Sequence, residues 1–131
     1  MPRSAPIPAP AAANASPDAY YDPAICPVAR VLSLIGGRWT LLVICRLKDA
    51  PLRYGELRRR VPGVSERMLI QTLRTLETSG MVVRTAEVAV PPRVEYRLSA
   101  FGDSLTPVLD SLLVWGLANL PPVPGGPVAA P

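Results

Sequence analysis

The sequence predicts a mainly α-helical fold carrying one small antiparallel β-hairpin, and three observations predict it. The stretch 65–79 has helical periodicity, with leucines on one face and a polar, basic set on the other. After Gly80 the period becomes strand-like, and after Ser99 it turns helical again. The prolines gather at the ends: of seventeen, residues 1–24 hold six and residues 121–131 hold five. The segment 1–24, rich in Pro and Ala, lacks the apolar face needed to offset ordering entropy, and 121–131 is similar. Both are expected to be disordered, an arm and a tail around one domain at 25–120.

The elements follow in order. Tyr20 to Ile25 is a lead-in. Cys26-Pro27 opens the first helix, because proline is favoured at the first helical position; Cys26 then sits at or next to the N-cap. Val28, Leu32 and Ile35 form an apolar stripe, widened by Val31, and Gly36-Gly37 ends the helix. A second helix starts at Arg38-Trp39-Thr40 and runs to Leu47. It is apolar almost all round, the pattern of a central buried helix. In a third, Tyr54, Leu57 and Val61 share one face while Arg58, Arg59 and Arg60 point outward. Pro62-Gly63-Val64 is a tight turn into Ser65, a good N-cap for the fourth helix. On that helix Leu69, Leu73 and Leu76 face a core, and Arg67, Gln71, Arg74 and Thr78 lie opposite, with Gly80 closing the end.

Val82 to Val88 reads as a strand, Pro91-Pro92 breaks it, and Arg93 to Leu98 alternates cleanly, so 82–98 is a hairpin. Ser99 caps a last helix reaching about Leu120, with a kink or boundary expected at Thr106-Pro107. Leu105, Leu109, Leu112 and Gly116 give it a stripe. Val108, Leu113, Trp115, Leu117 and Leu120 widen that stripe beyond what one small domain needs. Two helices joined through a Gly-bearing turn, the second with a polar outer face, make a helix-turn-helix. With the hairpin as a wing, the whole order is that of a winged helix-turn-helix.

Charge and motif content narrow the function. Between 53 and 97 nine arginines stand against five glutamates, while outside that window five basic residues balance five acidic ones. The whole excess therefore surrounds the polar helix, which fits an anionic partner, most simply nucleic acid. The chain has no histidine, which removes the commonest general base and metal ligand. It also lacks a Gly-rich phosphate loop, a Gly-x-Ser-x-Gly and a Cys-x-x-Cys. An enzyme is not expected, nor a cofactor, and two lone cysteines do not make a zinc site. No stretch approaches the ~20 apolar residues of a membrane span, and the N-terminus is not a secretory signal. A cytoplasmic protein without a disulfide framework is expected.

Six stretches in order sharpen the reading: Cys26 to Ala29, Ile35 to Thr40, Arg53 to Leu57, Leu73 to Glu77, Pro91 to Tyr96 and Leu105 to Leu109. Through them the chain resembles the HxlR-type family of bacterial winged-helix transcriptional regulators over about 25–118. The resemblance implies a homodimer held by the first and last helices. It also implies an effector: some such proteins respond to oxidants or electrophiles through a cysteine at the position of Cys26, others to small ligands.

The chemistry of the candidate residues agrees with double-stranded DNA as the partner. Helix 65–79 would lie in the major groove, with Arg67 and Arg74 on guanine or phosphate and Gln71 on adenine or phosphate. Ser65 and the helix N-terminus suit a phosphate, and Thr78 extends the same face. Arg58 and Arg59 fit backbone contacts. Arg93 is the wing's candidate for the minor groove, or else pairs with Glu87 or Glu95. A dimer sets two such helices about one turn apart, so the operator should be an inverted repeat. Cys26 gains thiolate character from a helix N-terminus and Arg30, or else is an inert thiol; Cys45 is expected to pack as a small hydrophobe. Trp39 and Trp115 are core or interface; the alternative is a ligand pocket lined by Trp39, Tyr54 or Trp115. The competing function is a winged-helix protein–protein interaction module without specific DNA binding.

Overall fold

The computed structural model describes residues 17–126. The chain divides at Gly36–Gly37 into two units. Of the expected arm, residues 1–16 lie outside the described residues, as do 127–131 of the expected tail.

In the first unit a short 3-10 helix, Pro17–Tyr21, precedes α1, Pro27–Ile35. Cys26 stands at the N-cap of α1, as expected, and Pro27 at its first turn. The proposed stripe is only partly covered: Ile35 is buried, but Val28 and Leu32 are exposed.

The second unit holds α2 (Thr40–Leu47), β1 (Leu52–Arg53), α3 (Tyr54–Arg60), α4 (Glu66–Thr78), β2 (Val82–Glu87), β3 (Arg93–Leu98), α5 (Ala100–Asp103) and α6 (Thr106–Asn119). It is mostly helical with a small antiparallel sheet, ordered β1-β3-β2. The hairpin is present, with Val82 opposite Leu98 and Glu87 opposite Arg93. The sheet gains a third strand that the sequence did not announce, pairing Leu52 with Tyr96 and Arg53 with Glu95. Two residues carry no alternation to read; only the partner strand defines them.

The core is formed by Val43, Ile44 and Leu47 of α2, Leu57 of α3, Leu69, Leu73 and Leu76 of α4, and Met81, Val82 and Tyr96 from the sheet side. α2 is less enclosed than its composition suggested. Thr40, Val43, Ile44 and Leu47 are buried, but Leu42 is 46% exposed and Cys45 half-buried. The boundary expected at Thr106-Pro107 is present: α5 ends at Asp103 and Pro107 lies in the first turn of α6. The stripe expected on α6 is corrected, since only Leu109 of that helix is buried and Leu112 is exposed. Lys48 Nζ reaches Asp110 Oδ1 at 2.6 Å, tying α6 to the end of α2. No single helix among the described residues is long and apolar enough to cross a membrane.

Candidate nucleic-acid interface

The interface starts from α3 and the turn after it. Arg46 Nε of α2 donates to the Arg60 carbonyl at 2.7 Å, which satisfies an open acceptor at the end of α3 and ties that end to α2. Gly63 follows at φ +88°, a left-handed conformation that favours glycine. The Trp39 ring lies beside this turn, 3.6 Å from where a Gly63 Cβ would stand.

α4 is fixed at both ends. Ser65 Oγ accepts the Met68 N–H at 3.1 Å. At the other end Gly80, at φ +80°, donates its N–H to Glu77, and the Met81 N–H reaches back to Leu76, both at 3.0 Å. That paired closure is the Schellman pattern. Thirteen residues are thereby held as a rod roughly 20 Å long. Leu69, Thr72, Leu73 and Leu76 are buried beneath it.

The expected contact residues fall as follows. Arg67, Gln71 and Arg74 are exposed on the outer face of α4. Thr78 is exposed too, but its hydroxyl donates to the Arg74 carbonyl at 2.9 Å, so it offers a lone pair rather than a free proton. Ser65 uses its oxygen as the cap and keeps its own proton to give. Arg58 and Arg59 are exposed in the last turn of α3. Arg93 opens β3, opposite Glu87, and is exposed; among the described residues no ion pair holds it.

Two cavities show which of these residues converge. The first, about 600 Å³, lies on α4 and is lined by Glu66, Arg67, Ile70, Gln71 and Arg74. The second, about 510 Å³, lies between α4 and the sheet, where Tyr54, Ile70, Arg74, Arg84 and Tyr96 meet. Glu66, Ile70 and Arg74 border both. The Tyr54 hydroxyl oxygen is enclosed there without a hydrogen-bond partner. Burial raises its pKa, and the Glu66 carboxylate adds to the rise.

Glu66, Ile70 and Arg84 were missed from sequence. Ile70 was overshadowed by the leucine stripe beside it, although the same helical spacing places it next to Arg67 and Arg74. Arg84 needed the packing of the sheet on α4 to be known. Tyr54, expected beside Trp39 and Trp115 in a ligand pocket, lines two cavities that neither tryptophan reaches. Trp39 carries the Arg38 guanidinium 4.9 Å from its ring centroid, and Trp115 is 59% exposed on α6. Cys26 is a free, half-buried thiol that makes no capping hydrogen bond. Cys45 is also free; burial pushes its thiol pKa up, and Lys48 partly opposes the rise. That keeps it protonated, as a packing residue would be.

Comparison with known proteins gives the family and the fold. The model of the HxlR-like helix-turn-helix family matches residues 34–124. An HTH-type transcriptional regulator of Methanothermobacter thermautotrophicus is 48% identical over 95 residues, covering 72% of each chain. Among solved structures, the redox regulator HypR in its oxidized form is 39% identical with a TM-score of 0.68, over 74% of this chain and 100% of its own. The reduced transcriptional regulator YodB of Bacillus subtilis is 32% identical with a TM-score of 0.68, over 75% of this chain and 97% of its own.

Proposed function

The chain belongs to the HxlR-like helix-turn-helix family, and from that premise we propose that it is a homodimeric, sequence-specific, repressor-like regulator bound to an inverted-repeat operator. Its relatives are transcriptional regulators, which are not enzymes. The observation that carries the proposal is α4 itself. It is capped at both ends, backed by a buried leucine face, and presents Arg67, Gln71 and Arg74 to solvent. Guanidinium and amide groups on a rigid rod match the donor and acceptor pattern of the major groove. Arg58, Arg59 and Ser65 supply phosphate contacts, and Arg93 brings the wing at 82–98 toward the minor groove.

The dimer rests on exposed apolar surface. Val108, Leu112, Leu113, Val114, Trp115 and Leu117 of α6 are each at least half exposed, and α1 exposes Val28 and Leu32. So many exposed apolar side chains on the single helix α6 support an interface there. The effector is an oxidant, an electrophile or a small ligand. The likeness to the redox regulator HypR supports the first, and Cys26, a free thiol at the N-cap of α1, is the candidate reacting group.

Fluorescence anisotropy of the full chain on labelled duplexes, including the region upstream of its own gene, tests the reading. Arg67→Ala combined with Arg74→Ala should weaken operator binding about 10- to 100-fold and leave the melting temperature unchanged. Unaltered affinity in that variant would sink the DNA reading. Repeating the titration with a thiol oxidant, on wild type and Cys26→Ser, separates a Cys26 sensor from a ligand-driven switch.

A further inference from the structure

We propose that Ile70 reads a thymine in the operator by packing on its 5-methyl group; the assignment rests on the DNA-binding reading of α4. The outward face of this helix is mostly polar, yet Ile70 leaves 37% of its surface in solvent. It stands three after Arg67 and four before Arg74, so helical spacing places it beside both, and Gln71 joins them on the outer side of the helix. All three line the same 600 Å³ concavity, with Glu66 beside them and Ile70 as its aliphatic member. In the major groove the apolar group that distinguishes a base pair is the thymine methyl. An aliphatic side chain held between groove-reading donors is complementary to that group.

Two further features single out Ile70. Its other side borders the crevice that Leu73 and Tyr96 also line, so the side chain stands at the junction of the two concavities. It is also β-branched, so few rotamers are open to it and its methyl groups stay in place. Met68 is comparably exposed at 40%, but it does not line the concavity, and its unbranched chain is free to move. A fixed aliphatic surface discriminates a methyl from a hydrogen, whereas a mobile one adapts to both.

The test uses the full chain and an operator selected from a random duplex library. Each thymine is replaced in turn by deoxyuridine, which removes only the 5-methyl. Wild type should show one thymine per half-site whose replacement weakens binding about fourfold, the value of one buried methyl, and about fifteenfold when both half-sites are changed. Ile70→Ala should bind thymine and deoxyuridine duplexes equally at that position. Ile70→Val keeps the branch and should retain part of the discrimination, which guards against an alanine variant that is merely misfolded. Specific binding without any deoxyuridine-sensitive position overturns this assignment alone. So does a deoxyuridine effect that persists undiminished in Ile70→Ala and Ile70→Val. Failure to bind any duplex overturns the DNA reading together with it.

Discussion

α4 and α6 are nearly the same length, thirteen and fourteen residues, yet they solve burial in opposite ways. α4 places Leu69, Leu73 and Leu76 in the core and turns its charged and amide side chains outward. Its free energy is settled within one chain, and its outer face is available for recognition. α6 is apolar on most sides, buries Leu109 alone, and leaves Trp115 and its neighbours in water. Its burial is unfinished in one chain. An amphipathic helix is complete when its stripe is covered, whereas a helix apolar all round requires neighbours on more than one side. The first kind suits a reading element, the second a subunit contact.

The contrast breaks most sharply at α6. Leu112→Glu with Trp115→Glu should convert the dimer to monomer in sedimentation velocity, raising its dissociation constant more than about 100-fold, while far-UV circular dichroism stays the same. Operator affinity should fall with it, because the two α4 helices of the proposed dimer are no longer held together on the two half-sites. If the double variant still sediments as the wild type does, α6 is not the contact. The same kind of change on α4 should act within the monomer. Leu73→Ala removes a buried side chain and should cost about 2–5 kcal/mol in urea unfolding, without any direct effect on subunit association. Ser65→Ala should cost about 1 kcal/mol through the lost cap; a value near zero would mean that the Met68 N–H finds water instead.

The smallest effect belongs to the ion pair tying α6 to α2. The hydrogen bond that Lys48 donates to Asp110, and then the charge of that carboxylate, raise the Lys48 pKa. A raised lysine pKa stabilises the fold below the unfolded value and loses that contribution as pH climbs through the folded one. Lys48→Met should therefore melt at most a few degrees below wild type at neutral pH, since both partners are partly exposed. That gap should shrink in high salt and close above the ordinary lysine range. A gap that widens with rising pH would contradict the assignment.

The two helices also differ in how far their roles were legible. For α4, cap, leucine stripe, polar face and closing glycine are all local features written at helical spacing, so Ser65, Leu69, Leu73, Leu76 and Gly80 could be placed from the chain alone. The hairpin was equally legible, because Val94, Tyr96 and Leu98 alternate against Arg93, Glu95 and Arg97. For α6 the sequence showed an excess of apolar residues but not which were covered, and the expected stripe through Leu112 was not. β1 was invisible, since Leu52 and Arg53 are strand only by pairing with β3.

The sequence by itself determined the order of the helices and the hairpin, the cap and turns of α4, the location of the basic excess, and the face of α4 that looks outward. These depend on residues within a few positions of one another, where backbone geometry allows few alternatives. Tertiary structure alone decided that Tyr54 and Arg84 meet α4 across a crevice, that Ile70 lies between two cavities, and that α6 ends with its apolar surface uncovered. Those outcomes depend on which distant surfaces come together, and burial is a property of neighbours rather than of the residue that is buried.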